Sequence, residues 1–396
     1  MVRHSPVAAV WKHVGVRVRE GVPVDFEESA PLAGSLPRSA ERPAPPRPAA
    51  PEVTPPQDEG EPLSRRLRRP ETLISFGIAI AALVFFLQRL DISPGEIWQN
   101  ARQANPWLYG LAFVVWYGSF FLRAARWRRM LSRADIDDKH GYPMPGMRGM
   151  VEIFLLSWFA NCVVPAKLGD AYRSYLIKQE TGASFSTALG TILAERLTDL
   201  VVLFLTMSGV GLIVFRGHVP TEAERTFLLG LGLLVVAILG LGIMWFSRHA
   251  LQRRLPARLR EQYGRLHDAV FRCLRRPYLF LAFSAIIWLS EGLRFWLVAE
   301  AVGADLAPWT ALFIALMGSL LTTLPITPAG LGVVELGIGA VLVKLLGMDS
   351  TMAASIILLD RVVAYWSLIV VGLVLYVRRV RQDAVLREKT QPAPEA

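Results

Sequence analysis

The chain has 396 residues, of which 53% are hydrophobic and only 19% are charged. Soluble domains carry about 25% charged residues, so this composition excludes an ordinary soluble protein and favours an integral membrane protein. The two cysteines and six scattered histidines show neither a disulfide framework nor a metal-ligand spacing, and we expect no cofactor, no metal site and no nucleic-acid partner.

The N-terminal segment, residues 1–64, contains twelve of the 26 prolines. Such a composition cannot bury enough apolar surface to offset the entropy lost on ordering, which predicts a disordered cytoplasmic tail. No apolar stretch follows the first basic residues, so a signal peptide is not expected. A short partner-binding segment around residues 7–18 is the alternative for part of this tail.

Six apolar segments have close to the ~20 residues that a ~30 Å hydrocarbon core requires. They predict full membrane spans over 72–90, 106–122, 187–213, 226–247, 279–301 and 351–377. The predicted transmembrane domain covers 65–381, and 382–396 is a short cytoplasmic tail. The fold class is therefore an all-α integral membrane protein.

Two further apolar segments, 150–165 and 309–325, end at prolines and are each followed by a short piece, 168–178 and 330–346. Helices interrupted by proline and glycine at matching places in two halves are typical of re-entrant hairpins in transporters. We therefore predict two re-entrant, or short paired, helical hairpins. Their breaks lie at Pro165, Pro325, Pro328, Gly330 and Gly332.

Arginine-rich segments precede the first span and follow the second, fourth and last predicted spans. Positive charge marks the cytoplasmic side, and basic loops also attract anionic lipid head groups. All four segments share one side only if each hairpin contributes zero or two crossings. This arrangement places both termini in the cytoplasm of a multi-pass protein of the plasma (inner) membrane.

Two stretches repeat each other: GASFSTALGTILAER at 182–196 and GMDSTMAASIILLDR at 347–361. Arg196 aligns with Arg361, and Glu195 aligns with Asp360. Three spans separate the hairpins, so the halves, about 150–213 and 309–377, form an inverted-topology repeat. Both acid–arginine pairs then lie ~13–15 Å deep, near the bilayer centre.

Polar side chains around these pairs form the candidate site, because charges at membrane depth usually mark a pathway or a binding site. The predicted substrate-binding residues are Arg196, Arg361, Lys167, Arg173 and Asn161. The predicted supporting carboxylates are Glu195, Asp199, Asp170, Glu335 and Asp360. We predict no catalytic residue among them.

Adjacent residues on a helix point apart, so Glu195 cannot satisfy Arg196, and Asp360 cannot satisfy Arg361. Each arginine therefore needs either a distant carboxylate or a bound anion, and guanidinium groups grip phosphate with two parallel bonds. The alternative is an ion-pair network that only pins helices together, a role that also fits Glu291 and its i+3 neighbour.

At these residues the chain resembles the lysylphosphatidylglycerol synthase transmembrane region, or flippase-like domain, family. The segments that carry the resemblance are LRAARWRRML at 122–131, 161–200 (NCVVPAKLGD to ERLTDL), LPITPAGLGVVE at 324–335 and LLDRVVAYW at 358–366. The resemblance spans roughly 70–380 and implies a membrane module that handles or translocates lipids. Some members fuse this module to an aminoacyltransferase, which this chain is expected to lack.

Three functions are consistent with these patterns. The first is a flippase-like protein that binds and translocates a phospholipid, or another lipid with an anionic head group, through a polar groove. The second is a membrane transferase that uses Asp170, Glu195 or Glu335 as a base. The third is a non-transporting membrane partner that presents its basic loops or its tail.

Overall fold

The computed structural model describes residues 94–163, 168–215, 220–248, 253–323 and 330–390, and within these ranges the chain is helical and forms no strand. The predicted tail and first span, with Lys167, Pro165, Pro325 and Pro328, lie outside the described residues. The first six α-helices are α1 (Pro94–Gln103), α2 (Pro106–Arg133), α3 (Met147–Val163), α4 (Gly169–Thr181), α5 (Phe185–Phe215) and α6 (Thr221–Phe246). The next six are α7 (Ala257–Leu274), α8 (Tyr278–Ala301), α9 (Pro308–Leu321), α10 (Val333–Gly339), α11 (Ser350–Arg361) and α12 (Ser367–Thr390).

Five helical segments of the described ranges are long and apolar enough to cross a membrane. They are Pro106–His140, Phe185–Phe215, Glu224–Phe246, Tyr278–Ala301 and Ser350–Gln382. Each overlaps one of the predicted spans. The last one joins α11 and α12 through a π-helical segment, Val362–Trp366, which sequence analysis does not anticipate.

Helix α2 is longer than the sequence predicts. The predicted span ends at residue 122 because arginines follow, yet α2 continues to Arg133. Two of those arginines, Arg123 and Arg126, are buried inside the protein and are not loop residues. The prediction was wrong because hydropathy treats an arginine as exposed, whereas carboxylates from other helices neutralise these two side chains.

Each predicted hairpin corresponds to a pair of short helices. Helix α3 has 17 residues and α9 has 14, which correspond to ~26 Å and ~21 Å and fall short of a ~30 Å core. Helix α4 follows α3. Helix α10 follows α9 and continues into a π-helical turn, Ala340–Leu345.

The two similar stretches, 182–196 and 347–361, begin in the same way. Gly182 and Gly347 both end a helical segment with a positive φ, 74° and 66°, a conformation that glycine adopts without steric cost. Helix α5 begins at Phe185 and α11 begins at Ser350, each three residues after its glycine. Both segments of similar sequence therefore consist of a glycine with positive φ followed, three residues later, by a helix that contains the acid–arginine pair.

Helix α7 lies within the arginine-rich segment that the sequence analysis interpreted as a loop. It packs closely on α5 at Gly190, where an added Cβ would lie 2.5 Å from the carbonyl oxygen of Leu266. On its buried side, the Cys273 Sγ lies 3.5 Å from the carbonyl oxygen of Met130 in α2. The segment thus has a packed face as well as its exposed arginines.

Burial raises the pKa of the Cys273 thiol to about 12, above an ordinary value of 9.0. Because the thiolate is the reactive form, we expect Cys273 to resist N-ethylmaleimide at pH 8 in the folded protein and to react after denaturation. Intact-mass measurement on a Cys162→Ser background checks this. Rapid modification of the folded protein at pH 8 would contradict the packing of α7.

Candidate functional site

A cavity of about 620 Å³ lies among the helices, within the size range of ligand pockets. Residues of α2, α3, α5, α6, α8, α9, α10, α11 and α12 line it. Its charged lining consists of Arg123, Arg196, Arg294, Arg361, Asp199, Glu291 and Asp360. Five aromatic side chains also contribute, namely Trp116, Trp158, Trp288, Phe295 and Tyr365.

Arg196 of α5 pairs with Asp170 in the first turn of α4. Its Nε and Nη2 donate to the two carboxylate oxygens at 2.9 and 2.6 Å, a bidentate arrangement. The Arg196 side chain is 41% exposed and that of Asp170 is 19% exposed. Arg196 lies within a long apolar helix and is one of the residues that line the cavity.

Arg361 of α11 pairs with Glu335 in the first turn of α10, with its Nε 2.7 Å from Oε1. The other oxygen of Glu335 accepts a hydrogen bond from the Gly332 N–H at 2.7 Å. Gly332 has a φ of 84°, so glycine is needed where the chain turns back to the carboxylate. This pair is more enclosed than the first, since the side chains of Arg361 and Glu335 are 12% and 1% exposed.

The carboxylates that precede the two arginines have other partners, as the sequence analysis predicts. Glu195 forms ion pairs with Arg173 at 3.2 Å and with Arg126 at 3.1 Å. Asp360 pairs with Arg294 of α8. The sequence leaves two possible partners for Arg196 and Arg361, a distant carboxylate or a bound anion. In the structure each of the two arginines pairs with a distant carboxylate.

Arg126 lies at the centre of the network and is fully buried. Both of its terminal nitrogens bond to Asp199, one of them at 2.9 Å, and Ser284 of α8 donates to the same carboxylate at 2.8 Å. Arg123, one turn earlier, pairs with Glu291 at 2.6 Å. Helices α2, α5 and α8 are thus joined through buried charge.

The arginines also stack on aromatic rings, which adds to their burial. The Arg173 guanidinium lies 4.3 Å from the ring centre of Phe154 and 4.7 Å from that of Trp127. Arg123 lies 4.7 Å from the Trp158 ring.

The network of the described residues is balanced in formal charge. Six guanidinium groups belong to Arg123, Arg126, Arg173, Arg196, Arg294 and Arg361, and six carboxylates belong to Asp170, Glu195, Asp199, Glu291, Glu335 and Asp360. Several guanidinium nitrogens are nevertheless buried without a hydrogen-bond partner in the described part of the chain, among them Nε of Arg123 and Arg294 and Nη2 of Arg361. These three arginines line the cavity, although the unpaired nitrogen atoms are themselves buried.

The predicted site residues fall into distinct positions. Arg196, Arg361, Asn161, Asp199 and Asp360 all line the cavity. The Asn161 Oδ1 also accepts the Gly169 N–H at 2.8 Å and so joins α3 to α4.

Arg173 and Glu195 lie outside the cavity lining and hold each other in the buried network. Asp170 and Glu335 lie behind the cavity arginines that they bind. Gly330 and Gly332 set the turn before α10, both with positive φ.

Sequence analysis missed the part played by Arg123 and Arg126. Their spacing continues the buried face of α2, since Trp116, Phe120 and Trp127 on that helix are also buried. That periodicity was the available signal. It was outweighed by the positive charge, which the topology rule assigns to a loop.

Comparison with known proteins gives one family match and several relatives. The family model described as the lysylphosphatidylglycerol synthase TM region matches residues 73–372. A UPF0104 membrane protein of Methanocaldococcus jannaschii is 31% identical over 221 residues, 55% of this chain and 93% of that protein. A UPF0104 membrane protein of Methanothermobacter thermautotrophicus is 24% identical over 330 residues, 76% of this chain and 92% of that protein. Glycosyltransferase AglD of Haloferax volcanii is 24% identical over 341 residues, which are 75% of this chain and 53% of AglD.

Proposed function

This chain belongs to the lysylphosphatidylglycerol synthase transmembrane region family, and on that premise we propose that it binds and translocates a lipid with an anionic or phosphate-bearing head group. It is a membrane protein with several apolar helices. The observation that carries the proposal is the position of Arg196 and Arg361. They come from the two similar stretches of the sequence, yet they line one cavity.

The chemistry of the cavity suits a phosphate head group. Four arginines line it, and guanidinium groups bind phosphate with paired, charge-assisted hydrogen bonds. Asn161 adds a polar edge, whereas the indole N–H of Trp288 donates to the carbonyl oxygen of Asp199 at 3.1 Å. Because carboxylates already neutralise the arginines, an entering anion must replace a carboxylate or bring a compensating charge.

One side of the cavity is apolar and suits acyl chains. Leucines of α5 and residues of α6 form it: Leu193, Leu197, Leu200, Leu203, Ala237, Gly240, Leu241 and Met244. Helix α6 has only 6% of its most apolar stretch buried in the protein, so this wall is a single helix thick with an apolar outer face. A lipid could keep its tails against α6 while its head group contacts the arginines.

The remaining roles follow from the ion pairs. Arg173 holds Glu195 and thereby positions α4 against α5, so it does not contact the head group. The role of Lys167 rests on the sequence alone, as a cation that draws anionic lipid from the cytoplasmic leaflet. Asp199 and Asp360 orient the surrounding arginines.

We further propose the membrane arrangement that the sequence predicts: six spans and two re-entrant hairpins in inverted halves. The shortness of α3 and α9 supports hairpins that turn back within the bilayer. Alternating access would come from rocking of one half against the other. Both termini would then lie in the cytoplasm, with the protein in the inner membrane.

Lipid scrambling in liposomes tests the function. Fluorescent phosphatidylglycerol is reconstituted with the protein, and its exposure to an external quencher is followed over time. We expect the wild type to accelerate quenching of the inner-leaflet label and Arg196→Ala/Arg361→Ala to fall to the protein-free rate. The matched control, Arg129→Ala/Arg253→Ala, changes two exposed arginines and keeps wild-type activity.

Equal rates for the wild type and the cavity double variant would refute the role of these arginines. Equal acceleration with fluorescent diacylglycerol, which has no phosphate, would refute the head-group chemistry.

A transferase is the second candidate, because AglD carries the name glycosyltransferase. The carboxylates that would serve as a base are Asp170, Glu195 and Glu335, and each forms an ion pair with arginine. In each pair the carboxylate is engaged by a guanidinium group instead of being free to take a proton from a substrate. The geometry therefore favours binding and movement of a lipid over chemistry on it.

A further inference from the structure

Arg196 and Arg361 each pair with a carboxylate, and that carboxylate precedes the arginine by the same number of positions in the chain. Asp170 and Arg196 are 26 positions apart, and Glu335 and Arg361 have the same separation. Each carboxylate lies in the first turn of the second helix of its pair, α4 or α10. The repeat thus includes a matched ion pair in addition to its similar sequence.

The matched pairs differ in the exposure of their side chains. The Arg196 side chain is 41% exposed, and its partner is 19% exposed. The corresponding values for Arg361 and Glu335 are 12% and 1%. In this conformation one pair is accessible and its counterpart is closed.

The other pairs in the network show how exposed an ion pair is when it only joins helices. Arg126 and Asp199 have side-chain exposures of 0% and 8%, so the Arg126 guanidinium is not open to a competing anion, although Asp199 lines the cavity. Arg196 differs because it is itself partly exposed and lines a cavity that a head group can enter, while Asp170 lies behind it. An anion there meets the geometry that carboxylate and phosphate both use.

We propose that Asp170 and Glu335 act as latches, that is, as carboxylates that hold Arg196 and Arg361 until a phosphate head group displaces them. This inference rests on the proposed lipid-binding function. A phosphate head group displaces Asp170 from Arg196 first, while Glu335 remains closed on Arg361. Displaced Asp170 is exposed enough to be hydrated, whereas displaced Glu335 would be an uncompensated buried charge. The second latch therefore opens only after the halves rearrange and expose it.

The first test measures binding of dihexanoyl phosphatidylglycerol to the full chain in detergent by isothermal titration calorimetry. Asp170→Asn removes the competing charge, and we expect about tenfold tighter binding, equivalent to about 1.4 kcal/mol. Glu335→Gln should change the affinity less than twofold, because Arg361 remains enclosed. The matched control Glu180→Gln, also on α4, breaks the exposed pair with Arg379 and leaves the affinity unchanged.

A second measurement uses the wild type and so does not depend on how the variants fold. Carboxyl groups are footprinted with carbodiimide and glycine ethyl ester, and labelling is read by peptide mass spectrometry. Phosphatidylglycerol should raise the labelling of Asp170 several-fold and leave Glu335 unlabelled.

The outcomes separate the latch from the function on which it rests. If the wild type binds no phosphatidylglycerol, the proposed function fails. If it binds, but Asp170→Asn binds no more tightly or Asp170 labelling does not rise, the latch is refuted. Release of Glu335 before Asp170 would refute the order of opening.

Discussion

Arg126→Ala is expected to lower the free energy of unfolding by about 3–5 kcal/mol, the cost of leaving a buried charge without its partner. Arg126 is fully buried and pairs with two carboxylates, Asp199 and Glu195. Without it, Asp199 keeps Ser284 as a neutral donor, and Glu195 keeps only Arg173. Unfolding in mixed micelles with increasing sodium dodecyl sulfate measures the change.

The control for this substitution is Arg129→Ala on the same helix. Arg129 is exposed and donates to the Ala125 carbonyl at 3.2 Å, so its loss should change stability by less than about 1 kcal/mol. Arg126→Lys should restore stability only in part, because lysine cannot form the bidentate contact with Asp199. Similar stability of Arg126→Ala and Arg129→Ala would contradict a central role for the buried network.

The second large effect is expected at Gly169, where α3 and α4 meet. An added Cβ would lie 2.0 Å from the carbonyl oxygen of Ser157 and 2.6 Å from the Asn161 Oδ1. Because one obstacle is backbone, the helices must move apart, and overpacking of this kind costs about 1–3 kcal/mol. We expect Gly169→Ala to destabilise the protein and to weaken lipid binding, since Asn161 lines the cavity.

Gly232→Ala on α6 is the matched control for this steric argument. Nothing lies within 4 Å of a Cβ added at Gly232, and alanine favours the helix by up to about 1 kcal/mol. Thermal unfolding monitored by intrinsic fluorescence should therefore show a lower midpoint temperature for Gly169→Ala and a higher one for Gly232→Ala. A wild-type midpoint for Gly169→Ala would show that the contact between α3 and α4 is looser than described.

Much of the fold could be predicted from local pattern. The length of each apolar run marks five spans in the described residues, and the breaks near Pro165 and Pro325 mark the ends of two short helices. The divergence of adjacent side chains correctly separated Arg196 from Glu195. These features depend on helix geometry alone.

The partners in the charge network could not be predicted in the same way, because they join residues far apart in sequence. Arg126 and Asp199 are 73 positions apart, and Arg123 and Glu291 are 168 apart. The spacing of Arg123 on the buried face of α2 is a signal of burial, but it does not identify Glu291 as the partner. The pairing of Asp170 with Arg196 was within reach, however, because extending the repeat upstream of Gly182 aligns Asp170 with Glu335.

Among the described residues, the equal numbers of guanidinium and carboxylate groups in this network bear on how the proposed transport would respond to voltage. Rearrangement of helices that keeps these six cations with six anions carries no net charge through the transmembrane field. Moving one elementary charge across a potential of 100 mV changes its energy by about 2.3 kcal/mol. In this case only the charge of the head group would contribute to that energy. Transport of a neutral or zwitterionic head group would then be electrically silent, and transport of a monoanion would generate a current of one charge per lipid.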